Sequence, residues 1–180
     1  MSASHTVAVD DPKISIAQGA MVIKDCVLEG EITIGTGTIV HPKATIRALR
    51  GPIIIGENNI IEETTVIENN HEEGFVMKIG NENVFEVGAL VRARSVGNHN
   101  VFHIRSEVGS EVEVSEGCSI GVKCTVDTLG PLADRFVVYG ERHERRIAGE
   151  NPQSQVRQLE CLYKCLPRYH YHITTKAAGN

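Results

Sequence analysis

The sequence predicts an all-β fold, a triangular parallel β-helix followed by one C-terminal α-helix, and three observations carry that prediction. Aliphatic or aromatic residues recur every six positions, as in Ile34, Val40, Ile46, then Ile55, Ile61, Ile67, then Val96, Phe102, Val108. Glycine often comes next, at Gly35, Gly56, Gly80, Gly97, Gly109 and Gly121. The beat breaks only after a third hexad: between Ile46 and Ile55, Ile67 and Ile79, Val91 and Val96, and after Val126. A six-residue period is the mark of short stacked strands, and insertions at one corner mean that three hexads close one turn. A layered α/β fold would need helices between its parallel strands. No helical period appears between Ile14 and Val126.

The elements follow in order. Residues 1–12 are polar and are expected to be a flexible N-terminus. The solenoid is expected over residues 13–140, its coils starting at Ile16, Ile34, Ile55, Ile79, Val96 and Val114, with a last strand near Val138. Leu129 to Arg135 reads as an excursion at the insertion corner. Strand alternation sends each periodic residue inward, together with the residue two before it. Those partners are small: Ala20, Cys26, Thr38, Ala44, Thr65, Ala89, Ser106, Cys118 and Cys124. Ile61 and Phe85 should lie mid-strand in adjacent coils. Asn59, Asn83 and Asn100 fall one coil apart, where stacked amides share hydrogen bonds. The loop from Asn69 to Val76, with His71, Glu72, Glu73 and Gly74, should project from the insertion corner.

Residues 141–180 read as the C-terminal helix and tail. Asn151–Pro152 suits a helix start. Val156, Leu159, Leu162, Tyr163 and Leu166 form one apolar stripe, and Pro167 stops the helix. The tail places His170 and His172 at alternate positions, with no third ligand nearby in sequence to complete a metal site.

Outward positions divide the sides. On the second side, Met21, Ile39, Ile60, Val84 and Val101 make an apolar ladder that something must cover. The C-terminal helix is the expected cover, with another subunit as the alternative. On the third side, Glu29, Arg47, Glu68 and Arg92 alternate in sign, beside Val27, Val66 and Leu90. Glu29, Arg47, Glu68, Arg92, Val66 and Leu90 are the expected partner-binding residues; the alternating charges read alternatively as a solvated ladder that stabilises adjacent coils. His41, Glu62, Glu86 and His103 form a further outward column, but its histidines are three coils or about 14 Å apart, too far to share an ion.

Composition narrows the function. The 180 residues fit one domain, and a formal charge of −5 without a basic run argues against a nucleic-acid surface. The five cysteines include no CxxC pair, so neither a redox motif nor a zinc ribbon is indicated. There is no signal-peptide pattern or membrane-length apolar run, so a reduced, cytosolic protein without membrane insertion is the expectation.

Hexapeptide β-helices include sugar acyltransferases, γ-class carbonic anhydrases and two dynactin subunits, and the left hand is carried over from those families. Placed on the carbonic anhydrase pattern, the three zinc histidines fall at Glu68, Val87 and Arg92. No zinc, other cofactor or catalytic residue is therefore expected. The segments GPIIIGENNIIEE from Gly51, KIGNENVFEVGA from Lys78, NPQSQVRQLE from Asn151 and LPRYHYH from Leu166 resemble the dynactin subunit 6 family. That resemblance implies a non-catalytic subunit of the dynactin pointed-end complex, acting in dynein-dependent transport along microtubules and in cargo targeting. It implies a cytoplasmic, cytoskeletal location. It also implies dynactin subunit 5 as the β-helical partner, with other pointed-end subunits, including an actin-related protein, alongside. The competing reading is a hexapeptide enzyme of the carbonic anhydrase or acyltransferase kind.

Overall fold

A computed structural model describes residues 6–9 and 13–175. Short strands stack in parallel on three sides and wind left-handed. The first side runs from Ile14–Ile16 to Gly130–Pro131 in seven strands, and the third from Val27–Glu29 to Thr125–Val126 in six. The second side holds Met21–Ile23, Ile39–Val40, Ile60–Ile61, Val84–Phe85, Val101–Phe102, Ser119–Ile120 and Phe136–Tyr139. The register lays like on like: Ile34 over Ile55, Ile55 beside Ile79, Phe85 over Phe102. Phe85 and Phe102 stack with centroids 4.7 Å apart and planes 2° from parallel. That separation is the strand spacing itself.

The periodic residues form one buried column, and Thr38, Ala44, Thr65, Ala89, Cys118 and Cys124 are fully buried beside it, as their inward positions require, whereas Ala20, Cys26 and Leu28 in the first coil are half-buried. The glycine after the aliphatic residue has a steric cause. A Cβ on Gly35 would stand 2.5 Å from the Gly56 carbonyl oxygen, and one on Gly80 would stand 2.6 Å from that of Gly97. Adjacent coils approach too closely there for any side chain.

Asn59, Asn83 and Asn100 stack as expected. The amide oxygen of Asn59 accepts from the backbone N–H and side-chain NH2 of Asn83, and that of Asn83 accepts from Asn100 in the same way. Thr38 Oγ1 starts the ladder, and the Cys118 N–H ends it on Asn100 Oδ1. An outer ladder on the same corner runs in the opposite sense. There Asn81 Oδ1 accepts from Glu57 N–H, Asn98 Oδ1 from Asn81 N–H, and Glu116 Oε1 from the Asn98 side chain at 2.9 Å.

Four features differ from the sequence expectation. Thr6–Val9, within the stretch read as flexible, is a strand beside His172–Thr175, which itself runs antiparallel to Met21–Ile23. The tail thus caps the first coil, and Ile173 joins the main core. Gly130–Pro131 pairs with Val112–Val114, so part of the expected excursion is a seventh first-side strand. The helix starts at Val156 rather than beside Pro152. Asn151 does not cap it, because its side chain is packed against the corner at Gly117. The 69–76 loop is anchored instead of projecting freely. Asn69 is fully buried and its amide donates to the Gly51, Pro52 and Phe75 carbonyls. His71 is buried with Nε2 3.3 Å from the Ala93 carbonyl. The tip, Glu72 to Gly74, is exposed, as are Asn70 and Val76 on its flanks.

Candidate interaction surface

The helix Val156–Cys165 and the 3-10 turn Leu166–Arg168 settle which side is open. Leu159 and Leu166 are buried against Met21, Ile39, Ile60, Val84 and Val101, with Ile23 as a further rung and Leu162 and Tyr163 at the edges. This cluster is separate from the prism core. The expected cover is therefore in place, although the helix has ten residues and spans only about 15 Å. Ile39 and Ile60 are left with no exposure.

Polar contacts fix the helix at its margins. Gln158 donates to Glu62 Oε1 at 3.1 Å, and Tyr163 donates its hydroxyl proton to the Gly19 carbonyl at 2.5 Å. Burial raises the pKa of Glu62, partly offset by the Val87 N–H that it accepts. Its neighbour Glu63 behaves oppositely. Burial pulls Glu63 up, but the His41 hydrogen bond at 3.0 Å and the surrounding donors outweigh it and leave the carboxyl below its usual range. The expected column of His41, Glu62, Glu86 and His103 does not act as one: His41 is buried and pairs with Glu63 instead of Glu62, Glu62 accepts from Gln158, and His103 pairs with Glu86 at 3.1 Å. Among the described residues no three His, Cys, Asp or Glu side chains converge to hold a metal ion.

The third side carries the expected charges. Arg47 faces Glu29 at 3.5 Å, and Arg92 faces Glu68 at 3.1 Å. Register puts Glu68 beside Arg47, joining the two pairs into one column, and Glu107 at 3.8 Å from Arg92 continues it. Next to this column Val27 is 47% exposed and Val66 and Leu90 are half-buried. The residues at the zinc-histidine positions are engaged otherwise. Arg92 pairs with Glu68, which puts a guanidinium on the one carboxylate there, and Val87 faces outward with no donor atom.

Comparison with known proteins decides the family. A dynactin subunit 6 from Nematostella vectensis is 43% identical over 168 residues, covering 88% of this chain and 91% of that protein. One from Xenopus tropicalis is 43% identical over 167 residues, covering 88% of this chain and 83% of its own length. The chain belongs to the dynactin subunit 6 family. A carbonic anhydrase from Methanosarcina thermophila is 31% identical over 122 residues, covering 66% of this chain but 46% of the anhydrase. Among solved structures, a hexapeptide transferase family protein from Anaplasma phagocytophilum superposes with a TM-score of 0.66 at 17% identity, covering 87% of this chain and 88% of that one. That likeness concerns the fold alone. No protein-family model matches the sequence.

In this dynactin subunit 6 family member, one exposed feature escaped the sequence reading. Val87, Ile104 and Val122 are 38%, 44% and 56% exposed and follow one another down the corner between the second and third sides. Backbone bonds join their coils there, Arg105 N–H to the Val87 carbonyl and Lys123 N–H to that of Ile104. The signal was present at the second position after each second-side aliphatic residue. Higher in the stack the same position holds Pro42 and Glu63, which hid the apolar run. The ridge borders the Leu90 end of the third side, so the open apolar surface is wider than Val27, Val66 and Leu90 alone.

Proposed function

We propose that this chain is a non-catalytic structural subunit of the dynactin pointed-end complex and that its third side is where it meets a neighbouring subunit. One observation carries the reading. The chain covers its own second-side ladder with its C-terminal helix, whereas no described element covers the third side, where Val27, Glu29 and Arg47 are exposed and Val66, Glu68, Leu90 and Arg92 are half-buried. Family membership supports the dynactin role. Occupation of the zinc-histidine positions by a Glu68–Arg92 pair and by Val87 counts against a zinc hydroxide mechanism, which needs imidazole donors to acidify water. The β-helical dynactin subunit 5 is the proposed neighbour, with an actin-related protein and other pointed-end subunits completing the assembly. The work is dynein-dependent transport along microtubules and cargo targeting, in the cytoplasm and on the cytoskeleton. No helix among the described residues is long and apolar enough to cross a membrane.

The test inverts the column while keeping its internal pairs. E29R, R47E, E68R, R92E and E107R together exchange every sign. Each exposed pair is worth at most about 1 kcal/mol, so thermal stability should barely change. Co-precipitation of dynactin subunit 5 should fall at least tenfold. Equal recovery with the folded variant and the wild type would overturn the proposed face.

A further inference from the structure

The outward face of the C-terminal helix carries chemistry that docking does not use. Cys161 and Cys165 lie one turn apart on the face opposite Leu159 and Leu166, both exposed, with their sulfurs 3.9 Å apart. Two reactions suit a thiol pair, and distance decides between them. A disulfide needs sulfurs about 2.05 Å apart and Cβ atoms about 3.5–4.5 Å apart. Residues four apart on a helix hold their Cβ atoms about 5–6 Å apart. Oxidation within the pair would therefore have to distort the turn between Leu162 and Leu166. A tetrahedral zinc ion with zinc–sulfur bonds of about 2.3 Å spans two sulfurs about 3.8 Å apart. The observed separation meets that edge without moving the backbone.

We propose that Cys161 and Cys165 form a two-thiolate site for a thiophilic divalent cation of the zinc class. Binding exchanges the two S–H bonds for two metal–sulfur bonds and releases both protons to solvent. No third His, Cys, Asp or Glu ligand converges on the pair among the described residues, so water or groups of another molecule fill the two remaining tetrahedral positions. The helix holds the pair in advance, because Leu159 and Leu166 anchor its opposite face and fix its rotation. The remaining thiols do not compete. Cys118 and Cys124 are buried, and Cys26 is half-buried against the prism core, whereas Cys161 and Cys165 are exposed.

Cobalt(II) added to the reduced, full-length protein tests the site. The expected result is saturable thiolate-to-metal charge-transfer absorption with tetrahedral d–d bands, at the intensity of two thiolates. Cys161→Ser and Cys165→Ser should each weaken binding at least tenfold, with an unchanged far-ultraviolet dichroism spectrum. Zinc should also slow the reaction of two thiols of the wild-type protein with a thiol reagent. Absence of a charge-transfer band in the wild type, or the same band in the Cys161→Ser/Cys165→Ser double variant, would overturn the proposal. Failure of zinc to protect any thiol would do so independently of how the variants fold.

Discussion

Asn83 shows how a single residue holds the stack. Its fully buried amide accepts two hydrogen bonds from Asn100 and donates to Asn59 and to the half-buried Gly97 carbonyl. A buried polar group left unpaired costs about 1–3 kcal/mol, and Asn83→Leu strands several. We expect a loss of at least about 2 kcal/mol in denaturant titration, whereas a loss below roughly 1 kcal/mol would mean that the ladder bears little of the stability. Glu72 gives a second residue-scale prediction. The Arg94 guanidinium, 2.7 Å away, holds its carboxyl below the usual range. A carboxylate lowered by folding contributes stability at neutral pH and loses it as the pH falls through its folded-state pKa. In NMR titration Glu72 should protonate below an ordinary glutamate, and Arg94→Gln should return it toward that value. An unchanged midpoint in the variant would remove Arg94 as the cause. Neither residue was equally legible. The spacing of Asn59, Asn83 and Asn100 by one coil announced the ladder. Nothing in the run His71–Glu72–Glu73 announced that the histidine turns inward, because burial there is decided by Asn69 and Phe75 closing the loop.

Elements built on repetition could be read, and those that close the repeat could not. Every strand of the prism except Gly130–Pro131, which falls in the stretch read as an excursion, follows from a six-residue period, which fixes which residues face inward. Phe85→Ala, at the centre of the second side, should cost about 3–5 kcal/mol, since the Phe102 ring would lose its stacking partner. The ladder and the helix that covers it were both visible, one as outward aliphatic residues and the other as a stripe at helical spacing. Ile60→Asp now has a defined consequence. It sets a carboxylate at a position with no exposure, against Leu159 and Leu166, and should release the helix. Limited proteolysis should then cut near residues 151–156 faster than in the wild type. Equal cleavage rates would mean that the helix is held by Gln158 and Tyr163 alone. Trimming the 69–76 loop, harmless for a projecting loop, is expected to destabilise wherever it displaces Asn69 or Phe75, because three carbonyls depend on that one amide. The C-terminal strand left a faint trace in the β-branched run Ile173–Thr174–Thr175. Its pairing with the first coil joins parts of the chain far apart in sequence, which no local period encodes.

At the scale of the whole molecule, antiparallel strands close the second-side sheet at both ends: Glu144–Ile147 against the last coil, and His172–Thr175 near the first, with Thr6–Val9 outside it. An open sheet edge is a template for further strands. Charged Glu144, Arg145 and Arg146 blunt one of these ends. The prism therefore has a fixed length, and its third side offers a neighbour a set number of rungs. The position of the cover has a consequence during synthesis. Met21 through Val101 leave the ribosome long before Leu159 and Leu166, which hide them. At about 5–20 residues per second, several seconds pass with the greasy strip bare on a nascent chain whose coils can already form. A chain stalled or cut before residue 156 would expose that strip permanently. Such products should be taken up by holdase chaperones or degraded, while the finished chain is spared.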